Sequence, residues 1–422
     1  MKRVVIIGGG FAGINLANGL ANTDEYSVII VDRNNYNFFP PLLYQVSTCF
    51  LEASSICYPY RKLFKSNRNI TFRIGELEKI SPPENKVILS TCELTYDVLV
   101  LATGAQTNYF GMENVKRNAM PMKTFEDALN LRNHFLQNLE KAAITDDMDE
   151  RKKLLTIVVA GAGPTGIEIA GMLAEIKEKV IAREYAEMAD GGYEAKIYLV
   201  DGGPKVLAPM SEASQKYTLK ALSKLGIEVK LNMQVKDYTD NKVIFTNGEA
   251  IETETLVWAA GISASVFEGI PPEWYARGKR LLVDEFNKII GSANIYAIGD
   301  TCLQTSEKPY PNGHPQMAQV AIQQGTNLAR NLIFLANQGP QKPFKYFDKG
   351  SMAIIGIHKA VVDLPKPKIN VNGFFAWFIW LFIHLLSLVS FRNKLRTFFN
   401  WVGALATRDQ TLRFIIRPER KL

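Results

Sequence analysis

Two stretches of the chain, RVVIIGGGFAGINLANGL at residues 3 to 20 and LTIVVAGAGPTGIEIAGMLA at 155 to 174, each set three glycines in GxGxxG spacing between an apolar run and a helical pattern. The glycines are Gly8, Gly10 and Gly13 in the first copy and Gly161, Gly163 and Gly166 in the second. The chemistry available to such a turn is anion binding. The first glycine permits a tight turn after a strand, the second lets backbone approach a pyrophosphate, and the third lets helix and strand pack closely, so that phosphates meet free N–H groups at the helix N-terminus. A second strand follows in each copy and ends in a carboxylate, Asp32 after YSVIIV and Asp201 after AKIYLV, where ribose hydroxyls can be held.

The copies also close alike. YDVLVL runs into Ala102, Thr103 and Gly104, and TETLVW runs into two alanines and Gly261. First to last glycine spans 96 positions in one copy and 100 in the other, so the chain reads as internally duplicated. A third strand signal, NIYAIGDT, ends in Gly299 and Asp300. Two dinucleotide sites in one chain imply that one nucleotide is a donor and the other a resident carrier.

The elements needed to position these turns fit the length. A chain of 422 residues, 47% of them hydrophobic, predicts two or three domains with ample cores. Of the formal charge of +7, residues 391 to 422 hold +6, from eight basic side chains against Asp409 and Glu419. The body is therefore nearly neutral and a nucleic-acid face is not expected. Four cysteines without CxxC or metal-ligand spacing fit a reducing compartment. The N-terminal apolar run, VVII, breaks into glycines after four residues and does not read as a signal peptide. His134, His314, His358 and His384 are scattered, so neither a metal site nor a nucleophile and base pair is expected.

This constellation resembles the two-dinucleotide-binding-domain flavoproteins. The resemblance implies an α/β fold of two Rossmann-like domains, with non-covalent FAD in the first and NADH, the substrate, in an inserted second. Carried over, Asp32 holds the FAD ribose, Asp300 the flavin side chain and Asp201 the NADH ribose. A carboxylate at 201 would repel a 2′-phosphate and favour NADH over NADPH, with Lys205 nearby in sequence as a counterweight. Cys49 and Cys57 lie eight apart rather than at the CxxxxC spacing of a redox dithiol, and read better as small buried apolar residues.

Gln319 and Gln323, four apart, share a face of a predicted helix. Their stretch AQVAIQ is similar to the AQxAxQ quinone motif of type II NADH dehydrogenases, and NFFPPLLYQVSTCFLEASSI, GAGPTGIEIAG, FDKGSMAIIG and the apolar tail resemble that family as well. The resemblance implies hydride transfer from NADH to FAD and then two electrons to a membrane quinone, ubiquinone or menaquinone, without proton pumping. It sets Glu168 near the nicotinamide; by its own position, two residues past Gly166, Glu168 also reads as a first-turn carboxylate favoured by the helix dipole. The implied organisation is an FAD domain at 1–112 and 281–345, an NADH domain at 113–280, and a membrane-docking region at 346–422. The implied address is the cytoplasmic face of the cell membrane, peripheral and monotopic, with a homodimer left open. Two other readings share these features: a sulfide:quinone oxidoreductase using Cys302, and an NADH-binding redox sensor resembling apoptosis-inducing factor.

The tail carries its own signal. From Phe374 to Phe391 no Asp, Glu, Lys or Arg occurs in 18 positions, long enough to cross a bilayer. Leu395, Phe398, Phe399, Val402, Leu405 and Ala406 then form one helical stripe beside Arg392, Lys394 and Arg396, the pattern of a helix lying in the interface. His384 and Ser387, continuing towards Lys394, read as a narrow polar stripe, and the resemblance implies two monotopic helices rather than a span.

Overall fold

The computed structural model describes residues 1–185, 195–407 and 412–416, and the chain divides into two compact units. The first comprises Met1–Phe38, Tyr58–Gln106 and Ile262–Asp348. Its centre is a parallel sheet in the order Ile295–Ala297, Val98–Leu101, Lys2–Ile7, Tyr26–Asp32, Ile70–Ile74. Val4 and Ile6 enter one core and Val5 and Ile7 the other, so the central strand is apolar on both faces, as a doubly wound sheet requires. Ile7 is in register with both Val31 and Leu101, which brings the three strand ends to one edge. Helices Phe11–Gly19 and Ala318–Ala336 cover one face and meet through small residues: a Cβ on Gly325 would overlap the Ala12 carbonyl.

The second unit comprises Phe39–Cys57, Thr107–Gly261 and the described residues from Lys349 onward. Its parallel sheet runs Met120–Pro121, Thr255–Trp258, Thr156–Ala160, Lys196–Val200, Ile227–Lys230. The strand carrying the glycine turn is central in both units, with the carboxylate strand on one side and the closing strand on the other. The duplication read from the glycines is therefore a duplication of topology. The charged segment KAAITDDMDERKK is mostly helix, because Phe125–Ile144 runs into it and Asp147 caps Met148–Leu155. Both compact units differ in their limits from the four segments expected: Ile262 already belongs to the first unit, and Phe39–Cys57 to the second.

After the second sheet comes an antiparallel one, Ser351–Gly356, Lys359–Pro365 and Lys368–Asn372, and then two helices. The long apolar run does not form one helix. Phe374–Ser387 stops after 14 residues, where Leu388 turns extended at φ −63° and ψ 138°, and Phe391–Thr407 follows. Fourteen residues reach about 21 Å, short of a hydrocarbon core of about 30 Å. Among the described residues no helix is long and apolar enough to cross a membrane.

Candidate nucleotide and electron-transfer sites

The two glycine turns are built from the same contacts. Gly8 and Gly161 have φ of +107° and +110°, where an L side chain is strained, and a Cβ on either would overlap a carbonyl of the closing strand end, that of Ala102 or Ala259. A Cβ on Gly13 or Gly166 would overlap the carbonyl of Gly8 or Gly161. Gly10 and Gly163 are different, because a Cβ there would meet nothing within 4 Å. They are also the N-caps of Phe11–Gly19 and Pro164–Ile176 and supply no side-chain cap, whereas Thr124, Asp147 and Ser211 do cap their helices. Orphan N–H groups over an open cradle are what a pyrophosphate needs. The residues fit a dinucleotide in each turn.

Both carboxylates brace their own turn. Asp32 accepts from the backbone N–H of Gly9 at 2.7 Å and of Asn34 at 2.8 Å; Asp201 accepts from Ala162 and Gly203, each at 2.6 Å. Each oxygen has a second lone pair, so a ribose hydroxyl can still donate to it. Burial raises the Asp32 carboxyl above the ordinary range against the pull of those two N–H groups.

In the first unit the closing residues are pinned to the third strand signal. Thr301 bridges Thr103 Oγ1 at 3.1 Å and the Gly104 carbonyl at 3.2 Å, next to Asp300. Sequence reasoning missed Gln324, which is almost fully buried and accepts from the Gly299 N–H at 2.7 Å. Its signal was the second glutamine of IQQG, on the inward face of the helix. Gln319 and Gln323 are half-buried on that helix. Gln323 pairs both ways with the Phe347 backbone, donating at 2.9 Å and accepting at 3.0 Å. In the second unit the closing Gly261 lies under the exposed Phe110 ring, which a Cβ there would meet at 2.7 Å.

Glu168 departs from the first-turn reading. It is the fifth residue of Pro164–Ile176, so it lies a turn deeper than the helix N-terminus, and that helix has no acidic residue in its first turn. Its side chain is buried, and burial pushes the carboxyl up to about 8 despite donation from the Ile354 backbone. Met172, four residues on, lines an apolar cleft with Ile354, Gly356, Trp377, Leu381 and Trp401. Gln45 also reaches this cleft, holding Trp401 Nε1–H at 2.8 Å.

The thiols do not suit redox exchange. All four cysteines are free, and burial pushes Cys49 and Cys302 to about 11 and Cys57 to about 12, far from the thiolate form at neutral pH. His314 is buried with Nε2 at 2.8 Å from Glu307 Oε2, seven residues away in sequence.

On the tail, the stripe Leu395, Phe398, Phe399 and Val402 is exposed while Asn393, Thr397 and Trp401 face the protein, Asn393 donating to the Cys57 carbonyl at 2.9 Å. The helix thus turns its apolar side outward. His384 is not part of a polar stripe: it stacks on buried Trp380 at 3.7 Å and burial lowers it to about 4, whereas Ser387 is exposed. Arg408, Arg417, Arg420 and Lys421 of the basic tail lie outside the described residues.

Two parallel sheets, each with an uncapped glycine turn at its carboxyl edge, define an oxidoreductase with paired dinucleotide folds. Residues 2–325 match the pyridine nucleotide-disulphide oxidoreductase family, and 349–409 match the NDH2 C-terminal domain. The type II NADH:quinone oxidoreductase NdhA of Mycobacterium tuberculosis is 36% identical, over 94% of this chain and 86% of its own. The structure of NDH2 from Plasmodium falciparum in complex with NADH shares the fold with a TM-score of 0.89 at 23% identity, over 99% of this chain and 100% of that one. The sulfide:quinone oxidoreductase of Aquifex aeolicus shares it with a TM-score of 0.73 at 20% identity, over 96% and 95%. The chain belongs to the type II NADH:quinone oxidoreductase family. It is an FAD flavoprotein that oxidises NADH and reduces a quinone.

Proposed function

We propose that the first unit holds FAD through Gly8, Gly10, Gly13, Asp32, Ala102 to Gly104, Gly299 and Asp300, and that the second holds NADH through Gly161, Gly163, Gly166, Asp201 and Gly261. The observation that carries this assignment is the pair of open, uncapped turns at Gly10 and Gly163. Bound FAD supplies a two-electron carrier between hydride donor and quinone. The chain's own residues bind, orient and hold protons. Asp201 takes the ribose and disfavours a 2′-phosphate. Glu168, raised to about 8, keeps its carboxyl protonated at neutral pH. Gln319 and Gln323 serve the quinone side, Gln323 also fixing the backbone of Phe347, 24 residues on in sequence.

The tail docks the enzyme on the cytoplasmic face of a bilayer, where a lipid-soluble acceptor is found. Supporting this are the outward phenylalanines of both helices, Phe375 at 74% and Phe399 at 65% exposed, beside Arg392, Lys394 and Arg396. Rapid mixing tests the scheme. Anaerobic NADH bleaches the flavin and added quinone restores it, and Gln319→Leu slows the second phase while sparing the first. Equal slowing of both phases would move Gln319 from the quinone to the support of the flavin. Sedimentation in detergent tests the homodimer that the family resemblance leaves open.

A further inference from the structure

The duplicated turns differ in what holds the residue between the first two glycines. In the second unit that residue is Ala162, whose carbonyl accepts, among the described residues, from the backbone N–H of Leu207 at 2.9 Å. In the first unit it is Gly9. Its N–H is held by Asp32 as Ala162 is by Asp201, but its carbonyl accepts two side-chain donors, Tyr60 Oη at 2.8 Å and Asn37 Nδ2 at 3.1 Å. Tyr60 Oη also lies 3.3 Å from Asp32 Oδ2, so one hydroxyl touches both ends of the brace.

Tyr60 is itself fixed. It is 2% exposed, its ring stacks on Phe72 with centroids 4.9 Å apart, and its N–H donates to the Asn35 carbonyl at 3.1 Å. This explains why the first turn reads GGG where the second reads GAG. A Cβ at position 9 would overlap the Tyr60 hydroxyl, whereas alanine is accommodated at 162. The middle glycine is thus the counterpart of Tyr60 and not of the phosphate.

A resident cofactor and an exchanging substrate ask different things of the same turn. A turn frozen in the binding geometry spends no ordering entropy when its ligand arrives and holds it longer, while a turn without side-chain donors on its middle carbonyl can give way as substrate leaves. We propose that Tyr60 and Asn37 are positioning residues for FAD: by clamping the Gly9 peptide they preorganise the first turn, and this clamp makes the first nucleotide resident while the second exchanges. The inference rests on the assignment of FAD to the first turn and NADH to the second.

The test is FAD release from the purified holoenzyme, followed by the rise in free-flavin fluorescence on dilution, with NADH affinity measured in parallel. Tyr60→Phe keeps the ring and its stacking and removes one hydrogen bond, so FAD release should quicken about tenfold. Asn37→Ala should quicken it less. The double variant leaves the buried Gly9 carbonyl without a donor and should exceed the product of the two single effects. NADH affinity stays at the wild-type value in all three. A merely structural loss would instead loosen both nucleotides together and lower the melting midpoint in step, and that result overturns the proposal, as does unchanged FAD release in Tyr60→Phe. Gly10→Val separates the levels. If it fails to weaken FAD retention, the assignment of FAD to this turn is wrong; if it expels FAD while Tyr60→Phe does not, only the clamp is wrong.

Discussion

Gly171 of helix Pro164–Ile176 and Ile355 of strand Ser351–Gly356 touch backbone to backbone: a Cβ on Gly171 would overlap the Ile355 carbonyl oxygen. Helix and strand cannot separate without releasing the neighbouring bond from the Ile354 N–H to Glu168. Gly171→Ala should therefore destabilise the protein by on the order of 3 kcal/mol, since backbone cannot yield as a flexible side chain does. Because the same helix begins at the second glycine turn, where NADH is proposed to bind, KM for NADH should rise as well. Calorimetry and steady-state kinetics check both, and a variant that melts like wild type would contradict the contact.

Glu168 should leave a mark on stability against pH. Its folded carboxyl is raised from 4.5 to about 8, so between those values the folded chain keeps a proton that the unfolded chain has lost. The sign is that stability falls as pH climbs through this window and levels off above it. Glu168→Gln removes the slope and should gain roughly 3 kcal/mol at pH 7 relative to wild type. Denaturant midpoints from pH 4 to 9 measure the difference, and parallel curves for the two proteins would mean that the carboxyl is ionised in the fold.

Asp201 braces its turn through two N–H groups and is assigned the ribose. Asparagine has one acceptor oxygen and must give up part of that brace. Asp201→Asn should lower kcat/KM for NADH and narrow its lead over NADPH by about tenfold, the worth of one charge-assisted hydrogen bond. An unchanged ratio would detach the carboxylate from the 2′ position.

The outward phenylalanines make the tail testable apart from catalysis. Each buried phenylalanine contributes about 1.5–3 kcal/mol. Phe375→Glu together with Phe399→Glu should reduce co-sedimentation with anionic vesicles by roughly a hundredfold or more, while NADH still bleaches the flavin. Binding that survives this change but vanishes in salt would assign docking to the basic side chains alone.

What the sequence made legible is what short-range geometry dictates. Gly8 and Gly161 need a positive φ just past a strand, and Asp32 and Asp201 follow on the adjacent strand, so spacing alone locates them. The sheet order follows from those same connections. Hidden were facts set by distant segments: the depth of Glu168 depends on Ile354, and the glycine at position 9 on Tyr60. The break in the apolar run was also hidden, because nothing in the type of Leu388 marks an extended residue. His314 and Glu307 are linked by a loop rather than a helix, so no periodicity announces the pair.

The outward apolar side of the tail also governs how the molecule behaves away from lipid. Its folded form is built like a detergent, with a basic rim and an oily face, and in plain buffer that face has only other copies to cover it. Solutions of the full chain should therefore show a threshold concentration above which assemblies form, and a mild surfactant should dissolve them without unfolding either nucleotide unit.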